Sequence, residues 1–432
     1  MKRILIFLAV FTVGFINLEA QTKSIKKTPV LEETLPENVG ISSERLSRID
    51  KMCQQAVEQG EVPGMVTLVT RKGKIVQWKA FGMADNTKGR KLKRDDIFRI
   101  ASQSKAITST AVMMLWEEGK FRLDDPISKY IPEFKNPQIL KSFHYSDTTW
   151  TTQSAKSEIT IRQLLSHTSG IGYGMIDKDE RMKMIYQRAG VIDLFTTQNI
   201  TIKESVKKLA KLPLHHEPGE DYTYSEGLDV LGYFIEVVSR MPFDEFLKTH
   251  IFDPMGMNDT HFYLPSEKEE RLVAVQHKVE GKWKKFPVTF YDTDYPAKGA
   301  QTFFSGGAGL SSTAKDYATF LQMYLNGGEY NGVRILSRKT VDVILSNQIG
   351  NIWGDNPGSV FGLAFSVETK LSENRGGKGS EGTFGWGGYF NTQYFADPKE
   401  NIIGIIMKQT QNTNEDETEW KFRQLVFQCL DD

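Results

Sequence analysis

The chain has 432 residues, 39% hydrophobic and 25% charged, an ordinary globular composition with enough length for a large buried core and more than one lobe. Lysine plus arginine balances aspartate plus glutamate at 54 each, so there is no basic field to attract nucleic acid and no acidic tail; a small neutral or mixed substrate fits better. Two cysteines, Cys53 and Cys429, are too few for a disulfide scaffold or a cysteine metal cluster.

Residues 1–20 read as a signal peptide: Lys2-Arg3, the apolar run Ile4 to Phe15, then Leu18-Glu19-Ala20 as a small-residue cleavage site before Gln21. That apolar run of about a dozen residues falls short of the roughly 20 needed to span a bilayer. Cleavage is therefore expected, giving an exported, periplasmic or secreted product with no stable membrane insertion. A polar linker is expected over residues 21–40, and an amphipathic helix from Ser43 to Gln59, ending at Gly60. The β-rich runs Met65 to Arg71 and Ile75 to Phe81, joined by Lys72-Gly73-Lys74, predict a hairpin. Next, Phe98-Arg99-Ile100-Ala101-Ser102-Gln103-Ser104-Lys105 leads into the apolar, helix-favouring segment Ala106 to Trp116.

From Leu123 to His261 the pattern is helical, punctuated by Gly and Pro, with long polar insertions at Asn136 to Ser157 and Gly174 to Asn199. Strand signals return at Phe361 to Val367, Asn391 to Ala396 and Ile402 to Met407, and a terminal helix closes the chain. This order predicts an α/β (α+β) fold. The ends, about 41–100 and 300–432, would form an antiparallel sheet flanked by helices, and about 101–299 an inserted all-α lobe. The cleft between the two lobes is the expected site. Cys53 and Cys429 lie on apolar helix stripes, and either pair if those helices touch or stay as buried free thiols.

Ser102 and Lys105 are three apart. If Ser102 opens the helix, both side chains share a face, with Cβ atoms about 5–6 Å apart, and the positive end of the dipole favours an alkoxide on Ser102 and a neutral amine on Lys105. A serine can become a nucleophile in this way without histidine. Alone, however, S-x-x-K equally describes a capping serine followed by a solvated lysine. No G-x-S-x-G nucleophile elbow occurs; Gly379-Ser380-Glu381-Gly382 lacks the glycine two before the serine. The seven histidines include no H-E-x-x-H pair, and His215-His216 read as loop residues. Tyr224, in a turn before the helical pattern Leu228, Leu231, Ile235, Val238, is the other candidate base.

Ser102-Gln103-Ser104-Lys105, Tyr224-Ser225 and Gly385-Trp386-Gly387-Gly388 fall in the order of the three motifs of penicillin-recognising serine hydrolases. The chain resembles the class C β-lactamase-related family VIII carboxylesterases from about residue 41 to its end. The likeness includes Leu164-Leu165-Ser166-His167-Thr168-Ser169-Gly170, the stretch Gly306-Gly307-Ala308-Gly309-Leu310-Ser311-Ser312-Thr313-Ala314, and Ala396-Asp397-Pro398-Lys399-Glu400. The resemblance implies a beta-lactamase/transpeptidase-like fold and an acyl-enzyme on Ser102, formed without metal or cofactor. Lys105 and Tyr224 would share the base role, the lysine ammonium stabilising a tyrosine phenolate. The oxyanion would rest on the backbone N–H groups of Ser102 and Tyr389, with Gly387-Gly388 letting that edge strand approach the substrate.

Two departures bear on the substrate. Trp386 stands where β-lactamases and D-Ala-D-Ala peptidases carry Lys or His, which removes the cation for a substrate carboxylate and favours a neutral ester. Glu226 stands where many relatives have the asparagine of Y-x-N. Pointing inward, it would hold Lys105 cationic and leave Tyr224 as the base; alternatively it faces water at the helix start. Asp229 is a further candidate for the pocket, and His167 and Ser169 are expected to be structural. The expectation is an exported serine hydrolase of small carboxylic esters. A β-lactamase, a D-amino-acid peptidase, an acyltransferase and a non-catalytic cell-wall peptide or acyl-group binder are the alternatives, and oligomeric state is open.

Overall fold

The computed structural model describes residues 22–355, 357–376, 378–411 and 416–432; the expected signal peptide, residues 1–20, lies outside them. Two strands near the N-terminus, β1 (Glu32–Glu33) and β2 (Gly64–Arg71), flank helix α1 (Ser43–Glu58), and β3 (Lys74–Asp85) completes the expected hairpin. Helix α2 (Ser104–Glu117) follows and is buried from Ser104 to Leu115, with the hydroxyls of Thr108, Ser109 and Thr110 donating to backbone carbonyls. The middle of the chain supplies β4 (Gln138–His144), β5 (Thr149–Ser154), α3 (Glu180–Ala189) and α4 (Gly227–Ser239). After it come α5 (Ala314–Leu325), β6 (Ser359–Phe361), β7 (Ser366–Glu368), β8 (Phe384–Gly388), β9 (Thr392–Asp397), β10 (Ile402–Met407) and α6 (Thr418–Phe427).

The main sheet runs β6-β7-β8-β9-β10-β2-β3-β1, with Arg90–Lys91 pairing on β3. Its neighbours are antiparallel except β1, which lies parallel to β3. Two helical layers cover it, and the period-2 alternation of the central strands decides which residue meets which layer. Met65, Val69, Ile402 and Ile406 pack with Ile49 and Cys53 of α1 and Phe422 and Val426 of α6. Val66, Leu68, Ile403 and Ile405 face the larger core that contains Tyr317 and Phe320 of α5. Cys53 and Cys429 join the first of these clusters as buried free thiols.

Three details differ from the sequence reading. The segment expected as a linker is pinned to the body: Thr22 and Lys23 pair with Arg334 and Val333, and β1 extends the sheet. The block expected to be helical carries the β4–β5 hairpin, whose second strand is almost wholly exposed and so shows no apolar alternation. The strand bearing Trp386, expected at an edge, lies between β7 and β9. Pairing with β7 stops at Gly385, however, so Trp386, Gly387 and Gly388 keep one bare backbone edge toward the cleft.

Candidate active site

Ser102 sits in a 3-10 turn, Ala101–Gln103, that runs directly into α2. Ala101 adopts φ 42°, a left-handed conformation uncommon for a residue with a Cβ. The surroundings over-determine this turn. Ile100 N–H donates to the Leu310 carbonyl (3.0 Å), Leu310 N–H to Ser104 Oγ (3.1 Å), and Tyr317 OH to the Gln103 carbonyl (3.0 Å). Ser102 is therefore held at the positive end of a buried helix, itself 9% exposed and reachable.

Lys105 is 1% exposed and donates to three acceptors: Ser102 Oγ at 3.3 Å, Tyr173 OH at 2.9 Å and the Gly307 carbonyl at 2.8 Å. The amine thus bridges the Ser102 hydroxyl, the Tyr173 phenol and the Gly307 carbonyl. Asp229 acts on it through the backbone. Its Oδ1 accepts from Ser305 Oγ (2.6 Å) and Gly307 N–H (3.1 Å), fixing the carbonyl that Lys105 meets. A Cβ at Gly306 would lie 2.3 Å from the Leu228 carbonyl oxygen, which is why this turn needs glycine.

The Tyr224 ring lies 4.7 Å from Lys105 Nζ, and its hydroxyl accepts the Trp386 indole N–H at 3.3 Å. Tyr224 therefore sits between the indole and the Lys105 amine. His167 packs on the Tyr224 ring at 4.6 Å; its Nδ1 lies 3.0 Å from Ser225 Oγ and accepts the Ser225 N–H at 3.2 Å. Burial, helped by the Lys105 charge, holds this imidazole well below its ordinary range, so it is a neutral anchor for the Tyr224 turn.

Strand β8 closes the other side. A Cβ at Gly388 would lie 2.5 Å from the Ile100 carbonyl oxygen, so only glycine lets β8 end against the turn that carries Ser102. The Tyr389 N–H follows at once and has no acceptor among the described residues, while Ser102 N–H lies in the first turn of its helix, where amides lack intrahelical partners. Two free amides beside one hydroxyl form a geometry for an oxyanion.

Glu226 turns inward rather than toward water. It is 2% exposed, and its carboxyl meets that of Asp193, whose Oδ2 accepts the Met175 N–H at 2.6 Å. Burial raises Glu226 well above the carboxylate range, with Asp193 and Asp229 adding to it, and burial pushes Asp193 up to about 6. Two buried carboxyls in contact cannot both ionise, so they share a proton, held on Glu226. This links the Tyr224 turn to the loop that carries Tyr173 and leaves Lys105 without a direct carboxylate partner among the described residues.

The folded protein keeps that proton where an unfolded chain, with glutamate near 4.5, has lost it. The contribution to stability is complete below 4.5 and is lost as pH rises toward the folded value. Glu226→Gln keeps a donor to Asp193 with no proton to lose. The variant should therefore gain on wild type as pH rises, by about 1.4 kcal/mol for each pH unit inside that window. Thermal melts at pH 5 and pH 8 check this; an offset equal at both values would refute the shared proton.

The structure thus brings together Ser102, Lys105, Tyr224, Trp386, Gly387, Gly388 and Tyr389, and places Glu226 and Asp229 immediately behind them. The sequence reading missed Tyr173, which touches Lys105, and Asp193, which meets Glu226. Only the glycine flanks of Tyr173, in Gly172-Tyr173-Gly174, hint at close packing: a Cβ at Gly172 would lie 2.3 Å from Asp177 Oδ2. Among the described residues no group of three or more His, Cys, Asp or Glu side chains is placed to hold a metal ion.

Comparison with known proteins gives this geometry its context. The family model described as Beta-lactamase matches residues 49–427. Esterase EstB of Burkholderia gladioli is 28% identical over 382 residues, covering 84% of this chain and 90% of EstB. A protein of Escherichia coli strain K12 provisionally named a D-alanyl-D-alanine carboxypeptidase is 26% identical over 430 residues, covering 94% of this chain and 90% of its own. The solved structure of EstCE1, a hydrolase with promiscuous acyltransferase activity, superimposes with a TM-score of 0.74 at 26% identity over 89% of this chain and 99% of that one. All three motifs lie inside the matched span, so the resemblance and the cleft coincide: the chain belongs to the beta-lactamase family and is a serine hydrolase.

Proposed function

We propose that the protein is an exported esterase that cleaves small carboxylic esters through an acyl-enzyme on Ser102. The observation that carries the choice of ester is Trp386. The position where a carboxylate-binding cation would stand holds an indole, and its N–H is spent on Tyr224 rather than offered to substrate. A β-lactam or peptide carboxylate would find no partner there. EstB and EstCE1 support the same reading by name. Export rests on residues 1–20 alone.

In this reading Ser102 Oγ attacks the carbonyl carbon while its proton passes to the oxygen of Tyr224, acting as the phenolate that the family resemblance implies, beside the Trp386 indole and Lys105. The Ser102 and Tyr389 amides receive the oxyanion. Collapse breaks the bond to the alkoxide, which takes the proton from Tyr224. Water then attacks the acyl carbon and gives its proton to Tyr224; collapse breaks the bond from the acyl carbon to Ser102 Oγ, which takes that proton back from Tyr224, and the carboxylic acid departs. Lys105, through its bond to Ser102 Oγ, orients the nucleophile and stabilises charge along this path. Tyr173 stays a neutral phenol, because burial, reinforced by nearby anionic groups, keeps it well above its ordinary range.

The test is covalent labelling beside a substrate panel. A fluorophosphonate probe should modify Ser102, identified by peptide mass, and short-chain p-nitrophenyl esters should be turned over faster than nitrocefin or a D-alanyl-D-alanine peptide. An unlabelled Ser102 would point to a non-catalytic binder; preference for nitrocefin or the peptide would overturn the ester assignment.

A further inference from the structure

A cavity of ≈ 670 Å³ opens beside Tyr173 and Tyr224, with Tyr145, Tyr222, His215 and Arg181 among its other walls. It is built largely by the two polar insertions. The β4–β5 turn carries Tyr145, 64% exposed, to the rim, and the loop after Gly174 supplies Ile176 to Arg181. The two walls are tied together. Arg188 of α3 donates to the carbonyls of Asp147 (3.2 Å) and Thr148 (3.0 Å) at the hairpin turn. The floor is tied to the active site, since Asp177 Oδ2 accepts both the Tyr173 N–H (2.8 Å) and His215 Nε2 (3.0 Å).

Neither sign of charge prevails on the walls, where Asp177, Asp179 and Glu180 stand with Lys178 and Arg181. An ionic ligand would meet like charge on one side or the other, whereas hydroxyl groups both donate and accept and can use both kinds of wall. Arg181 spends Nε and Nη2 on Asp179, leaving its Nη1 donors for a ligand. Tyr145 and Tyr222 add aromatic faces on which the apolar face of a saturated ring can lie. The volume lies within the range of small-molecule pockets and far exceeds what a methyl or ethyl alcohol needs.

Tyr224 lines the cavity and is the group that returns a proton to the departing oxygen, so that oxygen leaves at the cavity mouth. We propose that the cavity receives the alcohol half of the ester as an uncharged, hydroxyl-rich ring, and that the substrates are O-acylated carbohydrates. The inference rests on the esterase reading above. In the step, the acyl carbon bonds to Ser102 Oγ, its bond to the sugar oxygen breaks, and that oxygen takes the Tyr224 proton; water then releases the acid and restores the serine.

The test measures acetate release from a methyl 6-O-acetyl-glucoside and from ethyl acetate, beside p-nitrophenyl acetate, with wild type, Tyr145→Ala and Arg181→Ala. The sugar ester should exceed ethyl acetate in kcat/KM by at least about tenfold, and each variant should lower the sugar-ester value by about tenfold, mainly through KM, with ethyl acetate, whose alcohol is too small to reach those walls, unchanged. A sugar ester no better than ethyl acetate, or variants that depress all three substrates equally, would overturn the proposal while Ser102-dependent p-nitrophenyl acetate cleavage still upheld the esterase reading. Absence of that cleavage would overturn both.

Discussion

Ser102→Ala should lower kcat/KM for p-nitrophenyl acetate by about a thousandfold or more, with the melting temperature unchanged or slightly raised. The expectation of unchanged stability comes from what Ser102 holds. Its side chain's hydrogen bond to protein is the 3.3 Å contact from Lys105, which keeps Tyr173 and the Gly307 carbonyl when the hydroxyl is removed. The 3-10 turn is fixed instead by Leu310, Ser104 and Tyr317, none of which needs the serine oxygen. A variant that kept wild-type turnover would remove Ser102 as nucleophile; one that lost activity and folding together would show only that the turn had collapsed, and near-ultraviolet circular dichroism distinguishes the two.

The second large effect is an asymmetry between two tyrosines on the same lysine. Tyr224→Phe removes the group proposed to carry the proton in both half-reactions and should lower kcat by about 10²–10⁴, in the range for a general acid–base residue. Tyr173→Phe removes one acceptor from Lys105 and leaves the Tyr224–Trp386 bond in place, so a loss of about tenfold is expected, accompanied by reduced stability because one ammonium N–H is left unpaired in a buried site. Steady-state kinetics at pH 7–8 on both variants decides the matter. Equal losses would mean that the tyrosines act as one unit around Lys105; the reverse order would make Tyr173 the proton carrier.

What could be read in advance followed from periodicity and motif order. The hairpin of β2 and β3, the buried α2 and the late strands announce themselves through apolar runs of the right period, and Ser102, Lys105, Tyr224 and Trp386 through their order along the chain. Tyr173 and Asp193 carry no such signal, because each acquires its role from a neighbour far away in sequence: Lys105 for one, Glu226 for the other. The inward turn of Glu226 was equally hidden. A glutamate at a helix start ordinarily favours water and the dipole, and only a second carboxyl willing to share its proton makes burial tolerable. The β4–β5 hairpin escaped because its second strand is polar and exposed and alternates nothing that a hydrophobic pattern can register.

The pairing of β2 with β10 sets how this molecule can be made. Val66 lies against Met407 and Arg71 against Ile402, so the middle of the sheet joins one strand from the beginning of the chain to another from its end. A nascent chain cannot close this seam until Met407 has left the ribosome, whereas α2 and α4, packed on each other, come from segments much nearer in sequence. High sequence separation makes such closure slow. The apolar faces of β2 and β3 therefore wait, unpaired on one side, through most of synthesis, and a chain stopped short of Ile402 lacks the central strand of its sheet rather than an edge.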